Sequence, residues 1–235
     1  MIDHTMDESA RRSAFASMVA HELRTPLTAV YGALEMMTRG SATLDPAHAA
    51  VLVGLAHRNA SRLLRIVEDC LDLEAASDGR LRLDRTLVTA RELLELALDG
   101  AQSACEQTNV TVALRVGSQR QLLADRTRLA RALTHLVQNA VTFAPPGTEV
   151  VITTSDASSH DSMRFTVEDH GPGIEPARLR ELFAPFDVRE TLGRRRIGGL
   201  GIGLSFVRMI AERHGGSVGA ESQPGRTRFW IKVPS

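Results

Sequence analysis

The stretch Phe15-Ala16-Ser17-Met18-Val19-Ala20-His21-Glu22-Leu23-Arg24-Thr25-Pro26-Leu27 sets a histidine beside an acid, with a threonine four residues on and a proline directly after it. Apolar residues run through it and beyond at helical spacing. Ala16, Ala20, Leu23, Leu27, Val30, Leu34 and Met37 alternate steps of four and three, which is a heptad seam along one side of a helix. His21 falls one position after Ala20, off the seam, and is expected to face solvent. That phase argues against a buried core histidine. Thr25 lies one turn beyond His21 and shares its face. Pro26 removes one hydrogen bond from the helix interior, a recognised cause of a bend.

Working outward, residues 7–39 read as one long helix, and Gly40 to Pro46 as a turn with a glycine stop and an Asp-Pro start. A second helix runs from about Ala47 to Ala76, with Leu55, Leu63, Ile66, Cys70 and Leu73 on its seam. Asn59 falls on that seam and is either a register-fixing polar residue or a partly exposed one. Two long helices joined by a short loop make an antiparallel hairpin. A lone hairpin cannot bury both seams, so a four-helix bundle formed by a two-fold dimer is expected.

Ser77-Asp78-Gly79 ends the helical pattern and marks a domain boundary, giving residues 1–77 and 78–235. After it the texture changes. Short strands are expected at Leu81–Leu83, Val110–Val116, Gln121–Ala124, Val150–Thr154, Arg164–Glu168, Ser217–Ser222 and Thr227–Val233. Helices are expected at about Ala90–Glu106, Arg126–Val141 and Ser205–Arg213. This alternation reads as an α+β sandwich with helices on one face of a mixed sheet.

The chain has 235 residues, room for two modest domains. Its 28 basic and 28 acidic residues cancel, so no chain-wide attraction to nucleic acid or anionic lipid is expected. Aromatic residues make up only 4%, too few for base-stacking platforms. Cys70 and Cys105 stand alone, without a CxxC or Cys/His cluster, and read as buried, reduced thiols. No apolar run approaches the roughly 20 residues of a membrane helix. No membrane contact is expected from this segment, although a longer protein containing it could be anchored.

Two glycine clusters punctuate the second half. Asp169-His170-Gly171-Pro172-Gly173-Ile174 follows a strand, and Gly198-Gly199-Leu200-Gly201-Ile202-Gly203-Leu204 precedes a helix. Glycines let backbone N–H groups approach a polyphosphate, and a following helix N-terminus adds its dipole. Neither cluster has the Lys-Ser/Thr of a P-loop nor the setting of a dinucleotide fingerprint. Taken singly, each reads equally well as a flexible turn. A third element, His135-Leu136-Val137-Gln138-Asn139-Ala140, puts a neutral oxygen donor near a helix end. Such a donor suits Mg²⁺, a hard cation that accepts few protein ligands.

Together and in this order the pieces resemble a sensor histidine kinase core. His21-Glu22-Leu23-Arg24-Thr25-Pro26-Leu27 resembles the H box and His135 to Ala140 the N box. Asp169-x-Gly171-x-Gly173 resembles the G1 box, Leu182-Phe183-x-Pro185-Phe186 the F box, and Gly199-x-Gly201-x-Gly203-Leu204 the G2 box. The resemblance implies a dimerisation and phosphotransfer hairpin over 1–77 and a Bergerat-type ATP-binding domain over 78–235.

By the same resemblance, His21 attacks the γ-phosphoryl group of ATP and Glu22 orients or accepts its ring proton. Thr25 positions water for dephosphorylating a response regulator. Asp169 accepts from the adenine amino group, Gly171 and Gly173 keep that pocket open, and Thr227 stands near the adenine. Asn139 is the implied Mg²⁺ ligand, while Gly199, Gly201 and Gly203 hold a lid close to the phosphates, anchored by Phe183 and Phe186. The implied partners are a second copy of the chain and a response-regulator receiver domain, in the cytoplasm. A phosphatase-dominant member and a non-catalytic nucleotide-binding dimeric scaffold are the alternative readings. Three residues depart from the family pattern. His135 stands where a first Asn is common, Thr142 where a basic residue is common, and Leu200 where Thr is common. Arg189, Arg194, Arg195 and Arg196 in the lid are candidates to replace the missing charge.

Overall fold

The computed structural model describes residues 3–39, 45–118, 120–156, 162–183 and 202–235. Contacts divide the chain into two compact units, Met1–Ala75 and Ala76–Ser235. The first holds helices α1 (Asp3–Arg39) and α2 (Pro46–Ser77). Asp45 starts α2. Its backbone carbonyl accepts from Ala49 N at 3.0 Å and its Oδ1 from Ala47 N at 3.3 Å, while Pro46 fills the first-turn position whose N–H would have no partner.

The heptad seam expected on α1 divides into two lines. Pro26 and Ala33 are buried, and Leu23, Val30 and Met37 are half-buried. Leu27 and Leu34 are 57% and 50% exposed, and Tyr31 between them is 65% exposed. One edge of the seam packs within the hairpin and the other edge is left outside. On α2, Val51, Leu64, Val67 and Leu71 are exposed as well. Asn59 does not fix register across the hairpin. Its amide donates to Leu55 O at 2.8 Å, one turn back in its own helix. Pro26 sits inside an unbroken helix, so it costs one hydrogen bond without ending the element.

In the second unit the elements run β1 (Arg85–Thr89), α3 (Ala90–Thr108), β2 (Thr111–Val116), β3 (Gln121–Asp125), α4 (Arg126–Phe143), β4 (Glu149–Asp156), β5 (Ser162–Asp169), the short α5 (Pro176–Leu179), α6 (Ile202–Arg213), β6 (Ser217–Gln223) and β7 (Arg226–Pro234). The sheet of five has the order β2-β4-β5-β7-β6, with β2 parallel to β4 and every other pair antiparallel. Period-two burial decides its faces. Val150, Ile152, Met163, Phe165, Val167, Phe229, Ile231 and Val233 are all buried, against Leu133, Leu136 and Val137 of α4 and Phe206 and Ile210 of α6. The opposite face carries Thr153, Arg164, Thr166, Arg228 and Trp230. The expected α+β sandwich is therefore present.

One expected strand is displaced. Leu81–Leu83 is not a strand, and the pairing segment is Arg85–Thr89. The physical reason lies in its partner. β3 ends at Asp125, opposite Arg85, and α4 begins at Arg126, so nothing remains for residues 81–83 to pair with. Leu81 is buried as an irregular segment instead. The β1–β3 ladder forms a separate two-stranded sheet. A capping box turns β1 into α3. Thr89 Oγ1 accepts from Glu92 N, and Glu92 Oε2 accepts from Thr89 N at 2.8 Å.

His214 fastens the end of α6 to the start of α4. It is 5% exposed, its Nε2 accepts from Asp125 N at 2.9 Å, and its Nδ1 lies 2.8 Å from Ile210 O. These contacts define a neutral ring protonated at Nδ1. Burial pushes its pKa below the usual histidine value, opposed by the Ile210 carbonyl. The unfolded chain takes up a proton near pH ~6.5 and the folded one resists it. The stability His214 contributes is thus complete above that pH and is lost as pH falls toward the folded value. The melting temperature of the wild type is expected to exceed that of His214→Gln by a margin that narrows from pH 7.5 to pH 5.5. An equal margin at both pH values would contradict this.

Both cysteines are free, and burial raises both thiols, Cys70 to about 11. They are half-buried rather than fully enclosed, yet both are poor nucleophiles near neutral pH. Among the described residues no helix is long and apolar enough to cross a membrane.

Candidate functional site

On the hairpin, His21 and Thr25 are both exposed on α1, as the heptad phase required. Glu22 is turned away from His21. Successive helix residues are about 100° apart, so an acid beside an outward histidine points back along the hairpin. Its Oε2 lies 3.2 Å from Arg62 Nη2 on α2, and its side chain is only 15% exposed. Sequence reasoning missed Arg62, because the two residues are 40 positions apart and only the antiparallel fold brings them together.

In the second unit, the strand β5 ends on Asp169, which is 2% exposed. Its Oδ1 accepts from Gly171 N at 2.8 Å. Burial raises its pKa, and the Gly171 N–H opposes the rise. Two glycines make this turn possible. A Cβ on Gly171 would stand 2.7 Å from Asp169 Oδ1 and 2.9 Å from Phe143 O. Gly173 has φ +86°, and a Cβ there would meet the Gln223–Pro224 backbone at 2.9 Å. Either contact is far inside van der Waals range, so any side chain must displace backbone.

The same turn is tied to the β6–β7 hairpin. Gly225 N donates to Gly171 O at 3.0 Å, and Ile174 N donates to Ser222 Oγ at 2.8 Å. Ser222 Oγ is in turn 2.8 Å from Thr227 Oγ1, and Thr227 is the register partner of Asp169. Asp169, Gly171, Gly173 and Thr227 are thus brought together at one end of the sheet. Ser222, which no motif flagged, links them. Its only signal in sequence is its place just before the Gln223-Pro224-Gly225 turn.

On α4, Asn139 is half-buried. One turn earlier, His135 packs against α6. Its ring lies edge-on to Phe206 at 5.6 Å, and a Cβ on Gly203 would come within 3.0 Å of its Nδ1. Gly203 therefore makes room for His135 in place of the smaller Asn. Arg131 also lies over the Phe206 ring, 4.6 Å from its centre. Thr142 directs its hydroxyl into its own helix, donating to Gln138 O at 2.7 Å. Phe183 packs edge-on to core Phe229 at 6.2 Å. Gly199, Gly201, Leu200, Phe186, Arg189 and Arg194–Arg196 lie outside the described residues.

The chemistry of this end of the sheet suits a purine base: Asp169 is a buried carboxylate with one oxygen engaged by Gly171 N, in a turn whose two glycines let it close on Phe143 and the Gln223–Pro224 backbone. Among the described residues no group of three or more His, Cys, Asp or Glu is placed to hold a metal ion. A protein cage is therefore absent there, and the neutral oxygen of Asn139 is the kind of single donor that Mg²⁺ accepts alongside phosphate and water.

Comparison with known proteins follows the same two-unit division. Residues 11–79 match the His Kinase A (phospho-acceptor) domain, and residues 124–235 match the histidine kinase-, DNA gyrase B- and HSP90-like ATPase family. The sensor protein GacS of Pseudomonas syringae pv. syringae is 30% identical over 233 residues, covering 97% of this chain and 25% of GacS. The chain thus spans about a quarter of that relative's length. The solved structure of the Acinetobacter baumannii histidine kinase AdeS is 26% identical, with a TM-score of 0.62 over 91% of this chain and 97% of AdeS. Full-length ShkA in complex with AMPPNP is 26% identical, with a TM-score of 0.63 over 93% of this chain and 45% of ShkA. With a phospho-acceptor domain ahead of an ATPase domain, this chain belongs to the sensor histidine kinases and forms their catalytic core.

Proposed function

We propose that this core transfers the γ-phosphoryl group of ATP to His21 and then to an aspartate on a response-regulator receiver domain. The observation that carries the reading is the exposed His21 of a phospho-acceptor helix in one chain with a buried carboxylate, Asp169, held in a two-glycine turn. ShkA, a structure of similar fold, was solved in complex with AMPPNP, which supports nucleotide binding by this chain.

In this reading a lone pair on the His21 ring forms the nitrogen–phosphorus bond, and the bridging oxygen leaves with ADP. The proton on the other ring nitrogen passes to Glu22. Asp169 receives the adenine amino group, with Thr227 beside it. Asn139 holds Mg²⁺, which when bound offsets negative charge on the phosphates. Gly199 and Gly201 let the lid backbone approach those phosphates, and Gly203, in the first turn of α6, serves the packing of His135 instead. Thr25, on the His21 face, orients water when the partner's phosphoaspartate is hydrolysed, so a phosphatase activity of the same hairpin belongs to the proposal. The helical unit, assigned to residues 1–77, pairs with a second copy through the uncovered Leu27, Tyr31 and Leu34 line, while residues 78–235 form the ATP-binding domain.

The test uses the chain as it stands. Sedimentation is expected to give twice the chain mass. Incubation with γ-labelled ATP and Mg²⁺ is expected to give acid-labile label that a receiver domain then removes. A chain that binds ATP but never becomes labelled would reduce the assignment to a nucleotide-binding scaffold. Label that forms slowly, beside rapid dephosphorylation of the receiver, would favour a phosphatase-dominant member. The motive for weighing that second outcome is the hydroxyl of Thr142, which is spent within its own helix where the family pattern commonly has a basic residue.

A further inference from the structure

Arg62 has no role in the reading above, yet it reaches across the hairpin to Glu22. The Glu22 side chain is 15% exposed and the Arg62 side chain 47%, so the acid is the more enclosed partner of the pair. Arg58, Arg62 and Arg65 recur at steps of four and three, which places them along one face of α2. Burial holds Arg65 below its ordinary range, and its nearest acid is Asp69 on its own helix, opposed by the charge of Arg62. A carboxylate bound to a guanidinium is a poorer proton acceptor than a free one. It is also turned about 100° around the helix from the histidine it would serve.

We propose that Arg62 is a positioning residue that latches Glu22 onto α2 and withholds its carboxylate from the His21 ring until the hairpin rearranges. The proposal rests on reading His21 as the phosphoryl acceptor. Release exchanges the guanidinium for the ring N–H as the partner of Glu22, and the proton then moves as described for the transfer. The pair is half-exposed, so its hold is modest. An ion pair of this kind sets a roughly two- to fivefold change in the released population.

The experiment measures kcat and the KM for ATP of autophosphorylation in the full chain. Arg62→Met is expected to raise kcat about two- to fivefold with KM unchanged, and Arg62→Lys to return it toward wild type. In a Glu22→Gln background, Arg62→Met is expected to change nothing, because the latched group is gone. An unchanged or reduced kcat in Arg62→Met, or the same rise with Glu22→Gln present, would overturn the latch. Arg62→Gln removes the charge but keeps hydrogen bonding, and it gives the same reading should Arg62→Met lose its helical signal. Label persisting in His21→Gln would instead defeat the acceptor assignment, so the two failures are distinguishable.

Discussion

A His21→Gln chain is expected to take up no acid-labile label from γ-labelled ATP while still binding ATP as the wild type does. The loss is expected to be at least ~10³-fold, the scale that follows removal of a nucleophile from a covalent mechanism. Glutamine is close in length, forms helix well and is neutral, so an exposed position on α1 should accept it within ~0.5 kcal/mol of stability. Folding and catalysis are thereby separated. The chain has 8 histidines, and the result discriminates among them. His214 is 5% exposed with both ring nitrogens engaged, and His135 is packed on Phe206. His48 is exposed, but it pairs with Asp45 at the start of α2. Only His21 combines an exposed place on α1 with an adjoining acid and a threonine one turn away. Labelling of His21→Gln at the wild-type rate would move the acceptor elsewhere and remove the basis for assigning Glu22 and Thr25.

Much of this was legible because the decisive signals were local. The heptad phase placed His21 and Thr25 outside, and the strand expected up to Glu168 put Asp169 directly after a strand, whereas its burial is seen only in the structure. The glycines at 171 and 173 read as a phosphate approach or a flexible turn, and the structure shows atoms that leave no room for a Cβ at either. What could not be read depends on distant partners. The pairing of Glu22 with Arg62 needs the register of the hairpin, which a broken seam pattern does not fix. The failure at Leu81–Leu83 has the same origin. Its alternating leucines satisfy a strand pattern, but strand formation requires a neighbour, and β3 ends opposite Arg85. The seam on α1 read as one line because a sequence does not say that one edge of it packs on α2 while the other stays uncovered. His135 departs from the first Asn common in the family pattern, and its ring packs on Phe206 with a glycine, Gly203, facing it in the first turn of α6.

Asp169→Asn carries the second large effect, a ~10²–10³-fold weaker ATP affinity at nearly unchanged stability, the scale set by the hydrogen-bonding groups it leaves mismatched. Asn keeps the shape and one carbonyl oxygen, so the acceptor for Gly171 N can be retained. It replaces the other oxygen by an amino group, and a purine amino group arriving there meets a donor instead of an acceptor. A lost hydrogen bond to a charged group costs ~1.5–3 kcal/mol, and a buried donor left unsatisfied costs ~1–3 kcal/mol more. Stability is expected to move little or to rise, because a neutral amide escapes the burial that raises the Asp169 pKa. A parallel measurement with inosine triphosphate sharpens the result. Its ring carries a carbonyl where adenine carries the amino group, so it should bind the wild type weakly against the carboxylate. In the Asp169→Asn chain the side-chain amide offers that carbonyl a donor, and the preference for ATP should collapse. An unchanged ratio of the two affinities would show that Asp169 does not face the base edge. Loss of ATP binding together with a large fall in melting temperature would show that the carboxylate serves the Gly171 turn and not the nucleotide.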